Sequence, residues 1–156
     1  MINGNLCNDK TNIANAFNDF FANLPKNIHK KLPKTLKSFK AFLGERQINS
    51  FFLNPTSLSE VWKIILSMQR KNSTGFDKVS SMMLKELPEN ILICLVHIFN
   101  MSFLKGEFIE EFKVAKIIPV PKKGDLSLMQ NYRPISLLSC ISKILEKLMS
   151  TRLNLF

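Results

Sequence analysis

Three cations flank a turn late in this chain. Lys122 and Lys123 enter it, and Arg133 follows it at the start of a second apolar segment. A polyphosphate needs convergent positive charge. Lysine supplies a mobile point charge, and arginine supplies a planar fork that binds two oxygens at once. If the segments on either side pair as antiparallel strands, the three charges can meet on one side of the tip. Paired strands also hold them more firmly than a loose loop does. Gly124 and the prolines around it fix the turn. Solvated turn charges would use the same residues, and residue chemistry alone leaves both readings open.

Arg70 to Lys78, RKNSTGFDK, reads as a polar loop. Gly75 lets the backbone turn tightly there. Asp77 is read as a residue that caps or satisfies loop amides. Two-metal phosphoryl transfer needs carboxylates that hold two ions roughly 4 Å apart. Asp9, Asp19, Asp77 and Asp125 are scattered singly, and Glu110 and Glu111 are adjacent, so on a helix they diverge. No catalytic residue and no metal ligand is assigned. Cys7, Cys94 and Cys140 are odd in number and widely spaced, which excludes a disulfide framework or a zinc site and fits a reducing, intracellular setting, nucleus or cytoplasm undecided. Cys94 and Cys140 lie among apolar residues, where free thiols are commonly buried. His29 and His97 are isolated, and His97 is read as structural.

The elements that must position these groups follow from periodicity. Thr11 to Leu24 places Ile13, Ala16, Phe17, Phe20, Phe21 and Leu24 at helical spacing, with Asp9 or Thr11 as cap and Pro25 as terminator. Lys26 to Lys40 is strongly basic and reads as a solvated linker or an RNA-contacting arm. Ser57 to Glu60 fits a capping box for a helix to about Gln69. Ser80 or Ser81 caps a short helix, Met82 to Leu87. Pro88 opens a longer helix to Leu104 that Gly106 stops, with Ile91, Leu92, Leu95, Val96, Phe99 and Phe103 facing other helices. Val114 to Val120 is β-branched and bounded by prolines, so it reads as an edge strand. Asn131 to Leu138 returns as its partner. Ser139 or Ser142 begins the last helix, with a stripe of Ile141, Ile144, Leu145, Leu148 and Leu153.

The balance of 22 basic and 12 acidic residues gives +10 over 156 residues, which favours phosphate-rich partners through counterion release. The hydrophobic fraction of 46% is enough for a core. The N-terminus lacks a secretory pattern. No apolar run approaches the roughly 20 residues of a membrane span, so no membrane partner is expected.

Three ordered motifs add to this: Pro119-Val120-Pro121-Lys122-Lys123-Gly124, Asn131-Tyr132-Arg133-Pro134-Ile135-Ser136-Leu137, and Ser142-Lys143-Ile144-Leu145-Glu146-Lys147. With the upstream Ser73-Thr74-Gly75-Phe76-Asp77-Lys78 loop and the weaker Ile13–Phe21 motif, they resemble the fingers segment of reverse transcriptases of non-LTR (LINE/jockey-like) retrotransposons. The resemblance spans about Ile13 to Leu153. It implies that Arg133 and one of Lys122 and Lys123 grip the triphosphate of an incoming dNTP, with Tyr132, Ile135 and Leu137 as scaffold. It also implies that Lys71, Gly75, Lys78 and Lys116 belong to the nucleic-acid path.

The expected fold is α+β, mainly α: a helical N-terminal part, a fingers-type two-stranded β-hairpin and a C-terminal helix, an incomplete polymerase fold. Residues 1–53 are expected as a helical extension with a basic linker, and 54–156 as the start of a reverse transcriptase domain cut before the palm. The family's carboxylates come from an aspartate-bearing strand and an A-D-D turn, which this chain lacks. The expectation is therefore a fragment of an RNA-directed DNA polymerase that is inactive alone. It needs no cofactor itself, while the complete enzyme uses Mg2+. Its partners would be RNA template, DNA primer, dNTP and the absent palm and thumb. A small basic nucleic-acid or protein binding module, or a non-functional retroelement remnant, are the alternatives.

Overall fold

The computed structural model describes residues 7–33, 37–44 and 51–156. The described residues form helices α1 (Lys10–Lys31), α2 (Leu58–Ser67), α3 (Ser81–Lys85) and α4 (Glu89–Lys105), strands β1 (Ala115–Pro121) and β2 (Tyr132–Leu138), and helix α5 (Cys140–Leu155). The two strands pair antiparallel, which makes the expected class, α+β and mainly α, the observed one. The chain packs as two units: the described residues of Met1–Ile48 with Ile117–Ile135, and those of Asn49–Lys116 with Ser136–Phe156.

In the second unit, α2 packs on α3, α4 and α5. Val61 and Ile65 of α2, Leu84 of α3, Leu92, Leu95, Phe99 and Phe103 of α4, and Ile144, Leu145 and Leu148 of α5 form a continuous buried core. Local capping sets the helix starts. The hydroxyls of Ser57 and Ser80 accept the amide protons of Glu60 and Met83, and Ser139 accepts those of Ile141 and Ser142. Each satisfies donors that the first helical turn leaves without intrahelical partners. Gly106 ends α4 in the left-handed conformation, at φ 66°.

Away from the buried stripe, α4 is open. Ile91 is 43% exposed and is not enclosed by other helices. Cys94 is exposed rather than buried, and so is His97. Each residue turns a helix by roughly 100°, so Ile91 and Cys94, beside Leu92 and Leu95, swing out of the core whatever their polarity.

The first unit is built on α1 and the strand segments that reach the hairpin tip. Asp9 caps α1 through both carboxylate oxygens, to Thr11 and Asn12. The helix does not stop at Pro25 but runs through it to Lys31. Residues from Ala22 onward are exposed, so water can replace the hydrogen bond that proline removes. His29, Lys30 and Lys31 in the last turn complement the negative end of the helix dipole. Residues 26–31 of the expected linker are thus helical, and Phe39–Phe42 form a 3-10 turn; Leu36 lies outside the described residues.

Candidate functional site

The hairpin tip is the site that the sequence singles out, and its register follows from one bond. The Lys122 amide donates to the Asn131 carbonyl at 2.7 Å. Counting back along β1 and β2, Pro121 lies opposite Tyr132, Val120 opposite Arg133, and Pro119 opposite Pro134. In an antiparallel ladder every second residue turns its N–H away from its partner. Pro119, Pro121 and Pro134 all occupy those outward positions, so their missing N–H groups cost the ladder nothing.

The same register sorts the side chains, because they alternate between faces. Ile118, Val120 and Lys122 share a face with Asn131, Arg133 and Ile135. Tyr132 lies on the opposite face and is anchored twice. Its ring meets Phe17 edge-on at 4.8 Å, and its hydroxyl donates to the Leu126 carbonyl at 2.9 Å. With Tyr132 held on one face, the next residue, Arg133, is directed to the other. Lys122 and Arg133 are both exposed on that open face. Lys123 is also exposed, but lies one residue further, in the bend beyond the ladder.

The loop between the strands is internally bonded. Gly124 has φ 120°, and a β-carbon there would stand 3.0 Å from the Asn131 side chain. That side chain donates to the Asp125 carbonyl at 2.8 Å. Asp125 accepts the Ser127 amide and hydroxyl, each at 2.8 Å, and these bonds hold its carboxyl below the usual range. Its charge is thereby directed at Ser127. No ion pair among the described residues involves Lys122, Lys123 or Arg133. The one further contact is a long one, from Lys122 Nζ to the Gln130 carbonyl at 3.4 Å. Two exposed cations on one face, in no ion pair among the described residues, can receive a polyanion without first breaking a bridge.

The second group of predicted residues, Lys71, Gly75, Lys78 and Lys116, lies in the other unit. Thr74 and Ser80 form an isolated antiparallel bridge that closes the loop between them. Gly75 is buried, and the reason for glycine differs from the tight turn expected. A β-carbon would come within 2.8 Å of the Ser139 nitrogen and 2.9 Å of its Cα. The residue with positive φ in this loop is Lys78, at 59°. Asp77 behaves as read. One carboxylate oxygen accepts the Val79 amide at 3.1 Å, and the other accepts the Ser139 hydroxyl at 2.5 Å. The Ser81 hydroxyl donates to the Gln69 carbonyl at 2.7 Å and accepts the Lys71 amide at 2.9 Å. Lys71, Lys78 and Lys116 all expose their side chains.

Sequence reasoning missed the part played by Ser139 and Asn131. Ser139 was legible only as a helix cap, yet it also anchors Asp77. Asn131 organises the hairpin loop through both its backbone and its side chain. A groove of about 870 Å³ along the C-terminal half of α4, lined by His97, Met101, Lys105, Glu107 and Phe108 among others, contains none of the predicted residues. Among the described residues no three His, Cys, Asp or Glu side chains converge as metal ligands. Asp77 and Asp125 each accept hydrogen bonds from neighbouring donors. No helix of the described residues is long and apolar enough to cross a membrane.

No protein-family model matches the chain. Individual proteins do. A probable RNA-directed DNA polymerase from transposon BS of Drosophila melanogaster is 36% identical over 65% of this chain and 11% of its own length. The RNA-directed DNA polymerase from mobile element jockey of Drosophila funebris is 34% identical over 64% of this chain and 11% of its own. The probable RNA-directed DNA polymerase from transposon X-element of Drosophila melanogaster is 29% identical over 65% and 11%. The chain thus spans about a tenth of the length of these relatives. The resemblance read from the motifs is borne out: the chain's homologues are RNA-directed DNA polymerases of non-LTR retrotransposons, jockey among them.

Proposed function

We propose that this chain, a homologue of a segment of non-LTR retrotransposon RNA-directed DNA polymerases, supplies the fingers that bind the incoming nucleotide and guide the template. Residues 54–156 are the start of the polymerase domain, and residues 1–53 are an extension ahead of it. Lys122 and Arg133 grip the triphosphate of a dNTP. Arg133 takes two oxygens with its fork, and Lys122 adds a mobile charge beside it. The apolar side chains of Ile118, Val120 and Ile135 make the floor of the same face. Lys71, Gly75, Lys78 and Lys116 contribute to the path of template RNA and DNA primer. Mg2+ and the catalytic carboxylates come from the palm of the complete enzyme, so this chain alone does not polymerise.

One observation carries the reading. Lys122 and Arg133 stand on the same open face of a hairpin whose register is set by the Lys122–Asn131 bond and whose opposite face is fixed by Tyr132. The test is Arg133→Ala in a single chain that also carries the palm. Nucleotide incorporation is expected to fall while template binding is kept. Loss of template binding with no change in nucleotide dependence would instead mark Arg133 as a backbone contact of a simple binding module.

A further inference from the structure

We propose that Phe76 is a stacking platform for an unpaired base of single-stranded nucleic acid. This rests on the reading that the segment handles nucleic acid, and it assigns to the Arg70–Lys78 loop a contact that its cations alone do not make.

Phe76 is 73% exposed. Burying a phenylalanine side chain is favourable, so a loop free to move folds it inward. This loop is held on both sides of Phe76. On one side, Gly75 is pressed against the backbone of Ser139, with no room for even a β-carbon. On the other, Asp77 is fixed by the Val79 amide and the Ser139 hydroxyl. Lys78 then takes a left-handed conformation, at φ 59°, which costs a residue with a side chain free energy. The bridge between Thr74 and Ser80 closes the loop at its base. The ring is therefore presented to solvent by a constrained backbone.

The charges around the ring select the partner. Lys71 and Lys78 belong to the same loop, one on each side of Phe76 in sequence, and both are exposed. Asp77 is the one acid from Arg70 to Lys78, and both its oxygens are engaged. Arg70 is drawn towards Glu86 at 3.3 Å, which leaves the two lysines as the free charge of the loop that carries Phe76. An exposed aromatic between uncommitted cations suits a ligand that alternates flat apolar faces with anions. Single-stranded RNA or DNA has that form: bases stack on the ring while lysines track the phosphates. A duplex hides its base faces and is a poor fit.

The test is fluorescence anisotropy with the full chain and a labelled single-stranded RNA of mixed sequence, repeated with a labelled RNA duplex. Removing a base-stacking aromatic weakens single-strand binding by about 5- to 150-fold. Phe76→Ala is expected to show a loss in that range, and Phe76→Trp to retain binding. The salt dependence should be unchanged in both, because phenylalanine neutralises no phosphate, and duplex binding should not respond. Phe76 is a surface side chain, so circular dichroism and thermal unfolding should match the parent. If the parent binds RNA in a salt-sensitive way and Phe76→Ala binds equally well, the platform is refuted and the nucleic-acid reading survives. If the parent shows no salt-sensitive binding, that reading fails and the platform with it.

Discussion

Gly75 lies so close to Ser139 that a β-carbon on Gly75 would stand 2.8 Å from the Ser139 nitrogen. The contact is backbone against backbone, so no flexible side chain can move aside. It joins the Arg70–Lys78 loop to the N-terminus of α5. Gly75→Ala is therefore expected to destabilise the protein by about 1–3 kcal/mol, the usual cost of overpacking. Gly44 has nothing within 4 Å of its β-carbon position, so Gly44→Ala should change the denaturation midpoint little. Parallel thermal or urea melts of the two variants check this. Equal stability would mean that the loop does not lie against α5.

Arg152 ties the start of α2 to α5. Its guanidinium meets both carboxylate oxygens of Glu60, at 3.0 and 3.1 Å, and donates to the carbonyls of Asn54, Pro55 and Leu148. It also lies 4.9 Å from the centre of the Phe103 ring. Its side chain is only 9% exposed. Removing one partner of a largely buried ion pair is strongly destabilising, and Arg152→Ala should cost about 3 kcal/mol. Arg152→Lys should recover only part of this, because an ammonium cannot reproduce the planar fork. Chemical denaturation of both variants measures the difference.

The same pair sets an acid dependence. The hydrogen bond from Arg152 holds the Glu60 carboxyl below its ordinary value of 4.5, against the opposing effect of burial. A carboxylate with a lowered folded-state pKa adds stability above its unfolded pKa, and that stability is lost as pH falls through the folded value. The Glu60 contribution should therefore be full and independent of pH near neutrality, and melting temperature should fall below about pH 4.5. Glu60→Gln should lower stability at neutral pH and flatten part of that acid limb. Melts across the acid range that overlay for parent and variant would contradict the pairing.

Helix starts were legible where the signal is local. Ser57, Ser80 and Ser139 cap helices as their side-chain chemistry requires, and Gly106 stops α4. Contacts distant in sequence were not legible. Gly75 read as a turn residue because Ser139, the reason for glycine there, is far along the chain. Pro25 read as a terminator because sequence does not reveal how exposed the surrounding turn is. Cys94 read as buried because its neighbours are apolar, although it points away from the core. The motifs marked the hairpin tip, but that Lys122 shares a face with Arg133 while Lys123 lies beyond the ladder came only from the register. Arg152 carried no motif at all, since its partners are carbonyls and a carboxylate contributed by other elements.

The register makes Lys122 and Lys123 unequal despite their adjacency. Lys122→Ala should weaken triphosphate binding by about tenfold, in line with loss of one charge-assisted contact of roughly 1.5 kcal/mol. Lys123→Ala should have a smaller effect. Titration with a dNTP at fixed ionic strength separates the two, because a general loss of positive charge would weaken both variants alike.

The most direct test of the account is NMR titration of the isotopically labelled chain with a dNTP, following backbone amides and the Arg Nε–H signals. Shifts concentrated at Lys122, Asn131 and Arg133, saturating with a single affinity, are the predicted result. Weak shifts spread over all the exposed lysines, with Arg133 no more affected than Arg70, would contradict the triphosphate clamp.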